Sequence, residues 1–212
     1  MTLPRPDSVG MFSYFGRGVA VDGDTAVISA PGVDLGEGQV GAFYVFAREP
    51  GEPASWSLVS ETLGDQTTRL GERVDLSGDT ALVFVIGEDG PCEFEDSCPT
   101  VRIYSRDHGG PGEWGLVTRV WPWDGADWFT FGTGLAIDGT AVFVGAPKAE
   151  PFPGPGSVYV YFCGDGSGEG DLCGALGIGA PSLTVSGRAA LVASLALAAV
   201  LLTGRARTKR CS

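Results

Sequence analysis

Histidine is almost missing from this chain: His108 stands alone in 212 residues. No Cys-x-x-Cys pair occurs either, so a zinc site lacks a ligand set of the usual spacing. Gly-x-Ser-x-Gly and His-Glu-x-x-His are both absent, which removes two familiar signatures of hydrolase chemistry. His108 falls in the loop Arg106-Asp107-His108-Gly109-Gly110-Pro111 and reads as a solvent-facing residue. Aspartate and glutamate are plentiful, but nothing singles out one pair as an acid and its base. The sequence therefore predicts no enzyme and no catalytic residue.

Positive charge is scarce over most of the length. Residues 1–182 hold 9 Lys+Arg against 26 Asp+Glu, and the rest holds 5 basic residues and no acid. The formal net charge is −12. An acidic body excludes nucleic acid as a partner, because phosphate contacts need a basic surface. It fits a soluble extracellular domain. Residues 1–14 have no apolar core of a secretory signal. The chain is expected to begin inside a structural unit, with the remainder lost, mis-started or supplied by another chain.

Glycine and proline are abundant, at 34 and 14 residues, and suit short strands joined by tight turns. Aromatics at 10% are too many for a disordered chain. The central observation is a repeat. Phe15-Gly16-Arg17-Gly18-Val19-Ala20-Val21-Asp22-Gly23-Asp24-Thr25-Ala26-Val27-Ile28-Ser29-Ala30-Pro31 returns as Phe131-Gly132 through Ala146-Pro147. A worn copy, Leu70-Gly71 through Ile86, lies between them and has Phe84-Val85-Ile86 where the others end in Ala-Pro. The second-position glycines 16, 71 and 132 are 55 and 61 residues apart. A period of that size implies a stacked or radial array.

Each unit reads as four short strands. In the first, these are Gly18–Val21, Thr25–Ser29, Ala42–Phe46 and Trp56–Ser60, with an Asp22-Gly23 turn after the first strand. In the second, Val101–Tyr104 and Trp114–Val117 follow Thr80–Ile86, after an insertion at 87–100. In the third, Ser157–Phe162 follows the Gly145-Ala146-Pro147 end. The units are placed at about 15–65, 70–125 and 131–162 within a domain spanning 1–162. Glycines 16, 71 and 132 are expected to allow close backbone approach or positive φ where units meet, with Phe15 and Phe131 filling the space beneath.

Phe-Gly, then Asp-Gly-Asp-Thr-Ala-Val, then Ala-Pro, then an aromatic Tyr-Val-Phe strand resembles the FG-GAP repeat, over residues 15–162. That family includes the integrin alpha-subunit head and many bacterial surface proteins. The resemblance implies an all-β fold: a partial β-propeller of about three four-stranded antiparallel blades, with self-association as one way to complete the ring. It also implies binding rather than chemistry, with a protein or a glycan as ligand.

Integrin-type repeats often bind calcium through a carboxylate loop. Here Asp22-Gly23-Asp24 reads as a strand turn, and Asp34 with Glu37 offers too few oxygens for a calcium cage. Asp165, Glu169 and Asp171 form the best oxygen-rich candidate, but the loop reads first as a flexible acidic linker held by Cys163 and Cys173. No cofactor is otherwise expected. Cys92 with Cys98, and Cys163 with Cys173, close short loops and read as disulfides in an oxidising compartment, leaving Cys211 over. Trp121, Trp123 and Trp128 lie in one short segment and read either as a sugar-stacking platform or as packing between units.

After a Gly/Asp-rich linker at 163–182, residues Ala189–Thr203 carry no charge, and Arg205, Arg207, Lys209 and Arg210 follow. As a helix these fifteen residues span about 22 Å, and adding 183–188 brings the length to that of a membrane core. The segment 183–204 is thus expected to be a transmembrane α-helix, with 205–212 a basic cytoplasmic tail and the body outside. The layout also resembles bacterial C-terminal sorting tails, with Cys173 as the sorting residue; that role would compete with a Cys163–Cys173 bond. The combined expectation is a non-enzymatic surface binding, adhesion or display module. The alternatives are an accessory fragment of a larger secreted hydrolase, or a truncated product without independent function.

Overall fold

The computed structural model describes residues 3–36, 38–51, 55–65, 68–88, 98–122, 130–147, 155–162 and 174–175. They are all-β, with no helix among them. The elements are β1 (Val19–Asp22), β2 (Thr25–Ala30), β3 (Ala42–Arg48), β4 (Trp56–Leu63), β5 (Arg69–Ser77), β6 (Thr80–Glu88), β7 (Cys98–Arg106), β8 (Trp114–Val120), β9 (Gly134–Asp138), β10 (Ala141–Ala146), β11 (Ser157–Phe162) and β12 (Gly174–Ala175). They form three four-stranded antiparallel sheets: β1-β2-β3-β4, β5-β6-β7-β8 and β9-β10-β11-β12. Each sheet follows chain order, because short turns can join only neighbouring antiparallel strands.

The first hairpin of each sheet is set by the same turn. Gly23, Gly78 and Gly139 stand at equivalent positions with φ of 56°, 55° and 55°. A two-residue hairpin turn needs that left-handed conformation at its first residue, and glycine adopts it without a Cβ clash. The register Asp22↔Thr25, Ser77↔Thr80 and Asp138↔Ala141 follows from the turn. The first two sheets also share a bulge, at Val45/Phe46 and at Ile103/Tyr104, between their third and fourth strands.

Alternation along the strands gives every sheet two working faces. In β2, Ala26, Ile28 and Ala30 point one way, into a cluster with Tyr44, Phe46 and Val9. Val27 points the other way, with Phe43 and Val45, and meets Ala81, Val83 and Val85 of the second sheet. The second sheet repeats this: Leu82, Phe84, Val101 and Ile103 meet Val142, Val144, Tyr159 and Tyr161 of the third. Thus the sheets stack face to face in chain order, with the first strands β1, β5 and β9 side by side at one edge.

The glycines at the start of each unit, just ahead of β1 and β9 and within the first residues of β5, behave as the sequence implies. Gly16, Gly71 and Gly132 have φ of 91°, 99° and 84°. A Cβ on Gly71 would lie 2.7 Å from the Ala42 carbonyl oxygen and 2.9 Å from Ser29 Cβ of the preceding sheet. At Gly132 it would strike the Phe84 ring. Phe84 occupies in the worn repeat the position of Ser29 and Gly145, so its ring fills the space that glycine leaves open. Phe131 is fully buried beside Tyr159, whereas Phe15 is only half-buried against Tyr44 and Phe46.

Three sequence expectations change. Cys98 is not in a loop: it opens β7, pairs with Glu88 and is buried. The insertion 87–100 shrinks accordingly, since β6 runs to Glu88 and β7 starts at Cys98. Residues 174–175, expected in the linker 163–182, form β12 against Tyr161 and Phe162.

Candidate functional site

Sheet follows sheet through a recurring polar contact at the first turn. The Gly78 N–H donates to Asp22 Oδ2 at 2.6 Å, from the second sheet to the first. The Gly139 N–H donates to Ser77 Oγ at 3.1 Å, from the third sheet to the second. Asp22 and Ser77 are equivalent positions, so at each of the two junctions the same acceptor position takes the next unit's turn N–H. Asp75 adds a bond from the Ile137 N–H at 2.8 Å. Arg17 pairs with Glu72 at 3.4 Å across the first junction, and Arg73 donates to the Thr133 carbonyl across the second.

A second recurring device fixes the outer strands. Arg48 pairs with Asp24 at 3.3 Å, and its guanidinium lies 4.9 Å from the Trp56 ring centroid. Arg106 pairs with Asp79 at 2.6 Å and lies 5.3 Å from Trp114. Arg106 also donates to Thr25 Oγ1 at 2.7 Å, tying the second sheet to the first. The planar guanidinium suits both tasks, donating to a carboxylate at its edge and lying with its face against an aromatic ring. The third unit has Thr140 in the place of the acid and Cys163 in the place of the arginine, so its sequence offers neither partner of this clamp.

These contacts bear on the carboxylates considered for calcium. Asp22 and Asp24 are engaged as described, and Asp34 Oδ1 accepts the Gly36 and Gly38 N–H groups at 2.7 and 3.3 Å. Such bonds to its own loop are a common aspartate turn device. Among the described residues no group of three or more His, Cys, Asp or Glu could hold a metal ion. Asp165, Glu169 and Asp171 lie outside the described residues, as do Glu37, Cys92, Cys163, Cys173, Cys211, Trp123 and Trp128. Trp121 is half-buried, and its carbonyl accepts the Tyr161 hydroxyl at 2.6 Å. His108 is exposed in the β7–β8 loop. The segment 183–204 and the basic tail also lie outside the described residues, among which no helix is long and apolar enough to cross a membrane.

Two buried polar groups escaped the sequence reading. Arg102 is buried, 3.6 Å from Asp65 and 3.5 Å from the Tyr104 hydroxyl. Tyr44 is buried, and its hydroxyl bonds Ser8 at 2.9 Å. Burial pushes the Tyr44 hydroxyl above its ordinary pKa; the Ser8 bond acts the other way, and Glu61 adds a smaller upward push.

The most distinctive exposed feature is the loop ahead of β1. Met11, Phe12 and Tyr14 are strongly exposed. Phe12 and Tyr14 have φ of 64° and 56°, a conformation that bulky side chains rarely take. The loop is fastened by the Gly32 N–H, which donates to the Ser13 carbonyl at 3.0 Å. A Cβ on Gly32 would meet the Tyr14 ring at 2.7 Å, so glycine makes room for the aromatic. Strain held in place by surrounding structure is a recognised mark of binding sites. Nothing in composition announced this loop, since the conformation depends on Gly32 across the hairpin.

The FG-GAP repeat family model matches residues 10–46 and 114–161. No curated protein matches the chain.

Proposed function

From the premise that this chain carries FG-GAP repeats, we propose that it is a non-enzymatic binding and display module with β-propeller-type blades. Each four-stranded sheet is one blade, and β1, β5 and β9 are the strands nearest the axis. The fastened aromatic loop at Phe12 and Tyr14 carries the reading. It lies inside the matched residues and presents two rings to solvent in a fixed conformation. Rings held rigid lose little entropy on binding, which suits a protein or glycan ligand.

In this reading residues 183–204 anchor the blades to a membrane, with the basic tail inside the cell. Cys92 with Cys98, and Cys163 with Cys173, close loops in the oxidising space outside. Calcium at Asp165, Glu169 and Asp171 remains a proposal of the same kind.

The location and intact mass of the native protein in fractionated membranes test the anchoring. A surface-exposed product that retains Arg205–Arg210 is expected for a simple anchor, and one ending near Cys173 for sorting. A full-length product found only in the cytosol overturns surface display. Adhesion of the full-length chain to glycan and protein arrays tests the loop, with Phe12→Ser and Tyr14→Ser expected to weaken it at least tenfold together.

A further inference from the structure

The third sheet ends the described array with a face that no other described sheet covers. Phe143 is 41% exposed, whereas its counterparts in the first two sheets, Val27 and Leu82, are 0% exposed. Val158 is 60% exposed, against 0% for its counterparts Phe43 and Val101. In both inner junctions these positions form the apolar contact with the next sheet. Asp138 sits beside this face, where Asp22 and Ser77 sit beside theirs, and has no polar partner among the described residues. The face therefore has the apolar positions and the acceptor of a junction, without its second half.

The second half exists at the other end of the same chain. The Gly23 N–H is equivalent to those of Gly78 and Gly139, and it has no partner among the described residues. Ala26, Ile28 and Tyr44 are equivalent to the residues by which the second and third sheets receive their predecessors. This face is covered instead by the N-terminal segment. Val9 is buried on it, Leu3 packs against it, and Ser8 holds the Tyr44 hydroxyl. Phe15 belongs to the junction itself, since Leu70 and Phe131 take its place in the other two units.

We propose that the outer face of the third sheet docks the first sheet of a second copy of this chain, head to tail. Asp138 of one copy accepts the Gly23 N–H of the next, and Phe143 and Val158 pack on Ile28 and Tyr44. Residues 3–9 act as a strap that must leave before the second copy can seat. The proposal rests on the reading of the chain as an array of repeat blades, and not on its cellular location. A head-to-tail contact of this kind is heterologous, so copies add in rings or open chains rather than stopping at a pair.

Sedimentation of the full-length chain in density-matched detergent tests this. The expected result is a mass that rises with concentration beyond two copies. Deleting residues 1–9 is expected to strengthen association at least tenfold, because the receiving face is uncovered. Asp138→Ala is expected to weaken it about fivefold to tenfold, the worth of one exposed charge-assisted hydrogen bond. Phe143→Glu with Val158→Glu, at sites already exposed, is expected to abolish it in both backgrounds while circular dichroism stays unchanged. Wild-type and strap-deleted chains that both remain monomeric overturn the proposal. So does a dimer that stops at two copies and ignores Asp138→Ala, which would be an isologous pairing of third sheets. Crosslinks from position 143 to residues 189–203 of the same monomer would assign the face to the chain's own apolar segment and equally overturn it. A monomer that still displays and binds at the cell surface defeats this docking and leaves the function proposed above standing.

Discussion

Replacing Gly71 by alanine tests the junction between the first two sheets directly. Gly71 has φ of 99°, a region in which an L side chain is strained by about 1–2 kcal/mol. Its Cβ would also press on the Ala42 carbonyl oxygen at 2.7 Å and on Ser29 Cβ at 2.9 Å. Both are parts of the preceding sheet rather than flexible side-chain ends, so the sheets must separate or tilt. Overpacking of that kind costs roughly 1–3 kcal/mol. The two effects together give about 4 kcal/mol, a large share of the roughly 5–15 kcal/mol that keeps a domain folded. Gly78→Ala is the matched control. Its φ is 55°, and an added Cβ would meet nothing within 4 Å. Only the backbone strain remains, about 1–2 kcal/mol. Thermal denaturation followed by far-ultraviolet circular dichroism reads the difference. At about 2–4 °C per kcal/mol for a chain of this size, Gly71→Ala is expected to lower Tm by about 8–16 °C and Gly78→Ala by about 2–8 °C. Equal shifts in the two variants would refute the close-approach argument and leave φ strain as the whole effect.

Other predictions follow the same contacts. Gly132→Ala is expected to be rescued in part by Phe84→Ala, because the added Cβ strikes that ring; a double-mutant cycle with no coupling would exclude the contact. The raised Tyr44 pKa makes folding favour the protonated phenol, so its contribution is complete below about pH 10 and is lost as pH rises through the folded value. The denaturant midpoint of the wild type is therefore expected to fall more at alkaline pH than that of Tyr44→Phe, and equal falls would refute the shift. Asp24→Asn removes an exposed partner of Arg48, and its thermal midpoint is expected to move by no more than about 1 kcal/mol's worth. Non-reducing peptide mapping of the exported protein is expected to recover Cys92 and Cys98 in one crosslinked peptide; alkylation of both without reduction would remove that bond.

Most of the three-sheet architecture was legible in the chain itself. Asp22-Gly23, Ser77-Gly78 and Asp138-Gly139 set three hairpins because positive φ at the first turn residue is a local requirement that glycine meets. Alternation in Thr25–Ala30 and Ala42–Phe46 fixes two faces through the period of a strand, again a local property. Equally, the repeated Phe-Gly positions announced where units would meet. What the chain alone could not announce are contacts between groups 56 and 62 residues apart. The Asp22–Gly78 and Ser77–Gly139 bonds exist only once two sheets are stacked, so aspartates in a turn read simply as turn residues.

The same reason explains the misplaced boundaries. Gly174-Ala175 has no strand propensity, and it becomes β12 only because β11 offers it an unpaired edge. Cys98 looked like a loop residue until Glu88 paired with it. The aromatic loop at Phe12 and Tyr14 depends on room left by Gly32 across the hairpin. Turn chemistry and side-chain alternation, which act over a few residues, were determined by the sequence. Which face is covered, which acceptor meets which N–H, and which face stays open were decided by the tertiary stacking, because burial belongs to pairs of sheets and not to any one strand.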